Sequence, residues 1–183
     1  MKPIVHVPND VLISPAKTVT KFDKKLELLL EEMGKTLIAT RRPKGVGLAA
    51  PQVGEALRIF ITKPTAKAEI RAFINPEIIA LLETKDTHEV VKDEDDKKLE
   101  GCLSIPDVWG HVDRAREVRL QYQDKSGTPH EETFEGFMAT IIQHETDHTN
   151  GILFSQRVVE QKGKFYKTVI DAEGKEILEE ITI

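Results

Sequence analysis

The chain has almost no cysteine: a single thiol, Cys102, among 183 residues. An internal disulfide framework is thereby excluded, and the thiol is left as a buried bystander, a reactive group or a metal ligand, which fits a reducing compartment. An excess of basic residues is also lacking. With 26 Lys and Arg against 31 Asp and Glu the formal net charge is −5, and no basic stripe of the kind that displaces counterions from a phosphate backbone is present, which argues against a nucleic-acid wrapper. No apolar run approaches the length needed to cross a bilayer. The opening Met1-Lys2-Pro3-Ile4-Val5-His6 has neither the apolar core of a signal peptide nor the Arg/Ser-rich amphipathic character of a transit segment. A cytoplasmic, bacterial-type protein without membrane attachment is therefore expected. Repeats, low-complexity segments and linkers are lacking too, so one domain spanning 1–183 is expected. A chain of this length buries roughly two thirds of its unfolded surface, and 39% hydrophobic with 31% charged residues is ordinary for a globular protein.

Against that background one stretch carries chemistry. In Gln143-His144-Glu145-Thr146-Asp147-His148 two imidazoles four positions apart fall about one helical turn from each other on one face, where both can hold a single divalent metal. Glu145 is rotated aside, to where it could take a proton from water at that ion. Phe137, Ile141, His144 and His148 continue one stripe at helical spacing, and Met138, Ile142 and Glu145 a second beside it. A helix apolar on more than one side is buried centrally, and Asn150-Gly151 is a stop signal.

The rest of the chain reads as mixed helix and strand. Residues 4 to 20 look extended, with turn residues Pro8-Asn9-Asp10 and Pro15. Phe22, Leu26, Leu29, Leu30, Met33 and Leu37 then recur at helical spacing, predicting an amphipathic helix with Asp23 favouring its N-terminal end. Leu57 to Thr62 reads as a strand and Phe73-Ile74-Asn75-Pro76 as another, ended by its proline. The mixed charge run within 83 to 98 reads as a solvated loop. Val118, Leu120 and Tyr122 alternate with polar residues, Asp124 to Gly127 supplies a turn, and Glu132 to Phe134 can return antiparallel. Phe165 to Ile170 and Glu176 to Ile181 form a closing hairpin around Asp171 to Gly174.

Two histidines do not complete a catalytic site, since such sites usually take three protein ligands and keep one position for water. In the long metzincin pattern the third would be a histidine six residues after His148, but Phe154 stands there. A downstream glutamate would have to be Glu160, Glu173, Glu176, Glu179 or Glu180, in weak contexts. Cys102, flanked by Gly101 in a tight uncharged segment, is the stronger candidate, because a thiolate binds a borderline or soft divalent ion well. Gly45-Val46-Gly47-Leu48-Ala49-Ala50 formally matches a loose dinucleotide fingerprint. It follows charged Arg41 to Lys44 rather than a strand, however, and Pro51 would sit inside the helix such a loop must open. A glycine-lined backbone edge that pairs with a peptide is the better reading, with Gln52 offering an amide donor to a developing oxyanion.

Three blocks together, Gly45-Val46-Gly47-Leu48-Ala49-Ala50-Pro51-Gln52, Glu100-Gly101-Cys102-Leu103-Ser104 and Gln143 to His148, resemble peptide deformylase in the family's order. The resemblance runs from about Ile4 to Leu153. It implies a compact α+β fold with the HExxH helix packed among antiparallel sheets, and removal of the formyl group from the N-terminal formyl-methionine of nascent polypeptides. It implies Cys102, His144 and His148 as metal ligands, Glu145 as the base, and Gln52 with the Leu103 backbone N–H as oxyanion donors. Val46, Phe137, Thr140 and Ile141 would form the methionine pocket, Gly47 and Gly101 leaving room for substrate backbone. Fe(II) is the implied native ion, with Ni(II), Co(II) or Zn(II) able to occupy the site; ligand types alone point to zinc. Formylated nascent peptides are the implied partners, with transient ribosome contact and no nucleotide cofactor. Thr146, Thr149 and Trp109 depart from familiar members, and the end from Lys164 is not the basic helix some of them use at the ribosome. The alternatives are a zincin-like peptidase, which would need a ligand after His148, and a member that binds metal or formylated peptide without turnover.

Overall fold

The computed structural model describes residues 1–82 and 99–182; the charge run expected to form a loop lies outside the described residues. In chain order the elements are α1 (Lys24–Ala39), β1 (Gly47–Ala49), β2 (Ile59–Thr62), β3 (Arg71–Leu82), β4 (Leu99–Cys102), β5 (Ile105–His111), β6 (Glu117–Gln123), β7 (Pro129–Glu135), α2 (Gly136–Thr149), α3 (Phe154–Glu160), β8 (Phe165–Ile170) and β9 (Glu176–Ile181). The strands form a five-stranded sheet ordered β1-β2-β3-β6-β7 and a four-stranded sheet ordered β4-β5-β8-β9, with every neighbouring pair antiparallel. This is the mixed α+β architecture expected. Among the described residues no helix is long and apolar enough to cross a membrane.

Helix α1 begins where the sequence placed its start. The Asp23 carboxylate accepts from the backbone N–H groups of Lys25 and Leu26, satisfying two of the donors a helix leaves free at its N-terminus. Its apolar side, Leu26, Leu29, Met33 and Leu37, packs on Leu48, Ile59, Ile61 and Ile74. The opposite face of the same sheet carries Phe60, Phe73, Val118, Leu120 and Phe134, which pack with Ala139 and Ile142 of α2. Strand side chains alternate between faces, so Ile59 and Ile61 serve one layer and Phe60 the other. That is why β2 runs Ile59-Phe60-Ile61 without a polar residue and is wholly buried to Thr62. The Phe60 and Phe73 rings stack at 4.7 Å.

Two local readings are refined. The opening segment is extended except for a single 3-10 turn, Asp10–Leu12, capped by the Asn9 side chain. The strand expected to stop at Pro76 continues to Leu82. Its pairing with β6 slips between Ile74 and Glu77, so the residue without an N–H falls in a bulge and breaks no ladder bond. Asn75 takes φ 53 there, its side chain accepting from Val19 N–H and donating to the Val19 carbonyl and the Gln123 amide oxygen. Helix α2 ends at Asn150 as the sequence suggested. Gly151 follows at φ 74, where a β-carbon would also collide with the Ser14 backbone at 2.6 Å.

Candidate metal centre

Helix α2 packs on the five-stranded sheet, and nearly its whole second half is buried. His144 and His148, one turn apart on it, bring their rings to 5.0 Å. The third group arrives from the other sheet. Strands β4 and β5 are joined by the turn Leu103-Ser104, with Cys102 paired to Ile105, and this turn carries the Cys102 sulfur to 3.2 Å from His148 Nε2. Among the described residues, the ligand atoms of Cys102, His144 and His148 lie within 4.8 Å of one another. Cys102 and His148 are 3% and 0% exposed, so water cannot solvate the charge of a thiolate there.

The competing ligands are elsewhere. Phe154 is buried and stacks on the His144 ring at 6.3 Å. Glu160, Glu176 and Glu180 are ion-paired on the surface with Arg157, Arg42 and Lys164, and Glu173 and Glu179 are exposed.

Sequence reasoning missed the groups that orient the first histidine. His144 Nδ1 stands 3.0 Å from Glu100 Oε2, which fixes the ring and turns Nε2 toward the centre. Glu100 also takes a two-pronged grip from Arg114, Nε to Oε1 at 2.8 Å and Nη2 to Oε2 at 3.0 Å. Arg114 Nη1 then donates to Asp147 Oδ2 at 2.6 Å, and Asp147 is held from its other side by Arg157 at 2.7 Å. Burial pushes the Glu100 carboxyl up, but His144 and Arg114 outweigh it and hold it at about 2. Two carboxylates are thus balanced by a buried guanidinium, Arg114, and a partly exposed one, Arg157. The sequence did hold one signal: Asp147 occupies a buried position of α2, and a carboxylate there demands a cationic partner.

Gln52 is 2% exposed. Its Oε1 accepts from the Ala49 N–H at 2.8 Å, which leaves the amide Nε2 aimed at the Cys102 sulfur, 3.4 Å away. Glu145 is buried against the backbone of Gly47, where a β-carbon would run into the carboxylate. Its Oε2 has no hydrogen-bond partner among the described residues. Burial drives its carboxyl up, partly offset by His144 and His148, to about 7. Gly47 lies in β1, followed by a 3-10 turn over Ala50–Val53, not in a loop that opens a helix.

These groups bound a cavity of about 660 Å³ into which Val46, Gly47, Gly101, Phe137, Thr140 and Ile141 all project a face, with Leu103 beside them. Two sheet edges meet at it, since β1 and β4 are each the outermost strand of their sheet. One thiol and two imidazoles, mutually close and shielded from solvent, with an unpartnered carboxylate oxygen beside them, fit a single borderline divalent cation better than a hard one such as Mg(II) or Ca(II).

The chain is similar to known proteins over most of its length. The sequence model of the family described as polypeptide deformylase matches residues 1–164. The peptide deformylase of Mesorhizobium japonicum is 38% identical over 165 residues, covering 88% of this chain and 86% of that protein. Peptide deformylase 1 of Bacillus subtilis is 36% identical over 176 residues, covering 95% of this chain and 99% of its own length. Among solved structures, a peptide deformylase from Legionella pneumophila superposes with a TM-score of 0.74 at 36% identity, covering 86% of this chain and 85% of that one.

Proposed function

The chain belongs to the polypeptide deformylase family, and from that premise we propose that it hydrolyses the formyl group from the N-terminal formyl-methionine of newly made polypeptides. Formate and a free amino terminus are the products. The observation that carries this reading is the meeting, at the floor of one cavity, of a Cys/His/His cluster with an unpartnered carboxylate and an amide donor. A site that held metal only for structure would need neither of the last two.

Held by Cys102, His144 and His148, a divalent ion would polarise the formyl carbonyl and lower the pKa of a water toward about 7. Glu145 accepts the proton of the attacking water and returns it to the departing amine nitrogen. A buried carboxylate with an unpartnered oxygen beside the Cys/His/His cluster is placed for both halves of that exchange. Gln52 donates its amide N–H to the formyl oxygen as charge develops there, with the Leu103 backbone N–H as a second donor. The Ala49 N–H that holds Gln52 Oε1 prevents the amide from turning its oxygen toward that charge. Water adds to the formyl carbon, the carbon–nitrogen bond breaks, and no bond to protein forms. Cys102 is therefore a ligand and not a nucleophile. Val46, Phe137, Thr140 and Ile141 take the methionine side chain, and Gly47 and Gly101 leave space for the peptide backbone.

Fe(II) is the resident ion in this reading, with Ni(II), Co(II) and Zn(II) as substitutes, and the cytoplasm is its compartment, where the thiol stays reduced. Substrate arrives as the nascent chain, in transient contact with the ribosome. The test is formate release from formyl-Met-Ala by protein prepared without oxygen, with metal content measured on the same sample. Cleavage of an unformylated longer peptide in place of formate release would overturn the assignment.

A further inference from the structure

The family match ends at Lys164, yet the hairpin β8–β9 that follows reaches a wall of the cavity. Trp109 of β5 lines that cavity. Its indole lies across Gly101 of β4, its cross-strand neighbour, and a β-carbon on Gly101 would stand 2.7 Å from two ring carbons. Only a glycine lets the ring lie so close to the strand that carries Cys102. On its other side β5 pairs with β8, and the indole N–H donates to Thr168 Oγ1 at 2.9 Å. An indole has one donor and no acceptor, so this single bond, together with the contact on Gly101, fixes the ring plane.

Methionine is assigned to the wall formed by Val46 and α2. Trp109 belongs to a second apolar wall, with Leu99, Leu103 and Val112, built from the edge strand β4 and its surroundings. An extended peptide presents successive side chains on alternate sides, so the chain leaving methionine needs another surface to pack on. We propose that Trp109 is a specificity-determining residue that receives the side chains following formyl-methionine and selects large apolar or aromatic ones over small ones, with Thr168 of the C-terminal hairpin as the positioning residue that holds the indole in place. The inference rests on the deformylase reading for the identity of the peptide, but its binding step is measurable without turnover.

Trp109 is the only tryptophan of the chain, so emission excited at the red edge of the indole band, where tyrosine does not absorb, reports on this wall alone. Metal-loaded Glu145→Gln protein, titrated with formyl-Met-Phe-Ala, formyl-Met-Ala-Phe and formyl-Met-Ala-Ala, should change its emission saturably, at lowest concentration for a phenylalanine peptide. In the active enzyme Trp109→Ala should raise KM for that peptide roughly tenfold and for the alanine peptide much less, with kcat nearly constant. Thr168→Val should raise it about threefold, as should Trp109→Phe, which keeps a ring and loses the N–H. Thr168→Ser keeps the hydroxyl and should preserve the parent's preference. The proposal is overturned if peptide saturates the formate assay without altering emission, or if Trp109→Ala shifts KM for all three peptides by one common factor. A parent protein whose emission responds preferentially to a phenylalanine peptide but which releases no formate would support the wall and refute the hydrolysis.

Discussion

Glu100 on β4 and Asp147 on α2 grip the same guanidinium, that of Arg114, at 2.8 and 2.6 Å. Through it the strand that delivers the thiol and the helix that delivers the imidazoles are locked to each other. Arg114→Leu would leave two buried carboxylates short of a partner. The expected cost is about 3–5 kcal/mol of stability, read as a fall in the urea midpoint of the metal-free protein. Glu100→Gln removes less charge balance but loosens His144, and metal affinity should drop by roughly 10- to 100-fold, measured by competition with a chromophoric chelator. Unchanged affinity in Glu100→Gln would mean that the carboxylate does not orient the ring.

Glu145 and Cys102 are assigned separable tasks, and substitution should separate them. Glu145→Gln should keep the metal and lose formate release by about 10²- to 10⁴-fold. Cys102→Ala should lose the metal itself, because two imidazoles alone make an incomplete ligand set. Metal content and initial rate on the same preparations decide the matter. A Glu145→Gln protein of full activity would remove the assigned base, and a Cys102→Ala protein that binds metal as tightly as the parent would remove the assigned ligand.

Gly47 has an ordinary backbone conformation, so its lack of a side chain is a matter of space. A β-carbon would meet the carboxylate end of Glu145, the group that must be placed to within a fraction of an ångström of the reacting atoms. Gly47→Ala should therefore fold and bind metal while losing formate release by about 10²-fold. Loss of metal together with activity would place the damage elsewhere.

What the sequence reveals and what it hides divides along the reach of the interactions. The α1 helix, the turn at Gly127, the stop at Asn150 and the β8–β9 hairpin are local events, set by spacing and by residues a few positions apart. The pair His144 and His148 is local too. The approach of Cys102 is not, and it was legible only because a thiol and a metal motif have few reasons to occur together. Arg114 carries no such mark, since an arginine that will be buried between two carboxylates has the same neighbours in sequence as one in solvent. Pro76 misled for the converse reason. Its local rule is sound, but a register slip in β3 puts the missing N–H where no ladder bond was due. The brace between Trp109 and Thr168 joins strands through tertiary pairing and leaves no spacing to read.

At the β3–β6–β7 face, far from the metal site in the sheet order, Arg71, Tyr122 and Glu132 form a closed triad whose titration gives a stability prediction with two limbs. Arg71 Nη2 donates to Tyr122 Oη at 2.8 Å and to Glu132 Oε1 at 2.9 Å, and the Tyr122 hydroxyl donates to Glu132. Burial pushes the Glu132 carboxyl up, but the bonds from Tyr122 and Arg71 outweigh it and hold it below the usual 4.5. A group whose pKa is lower in the folded state contributes stability that is present above its unfolded value and lost as pH falls through the folded one. This limb therefore erodes below 4.5. Burial first, and then the Glu132 carboxylate beside it, raise the Tyr122 phenol from 10 to about 12. The folded state there retains a proton that the unfolded state releases, so this contribution is complete below pH 10 and lost as pH climbs toward about 12. Urea midpoints measured across pH should fall less steeply on the acid side in Glu132→Gln and less steeply on the alkaline side in Tyr122→Phe, each relative to the parent. The chain has two tyrosines, so the phenolate absorbance of the parent minus that of Tyr122→Phe isolates Tyr122. A midpoint near 10 in that difference would show that the triad does not hold the phenol's proton, and the alkaline limb would lose its cause.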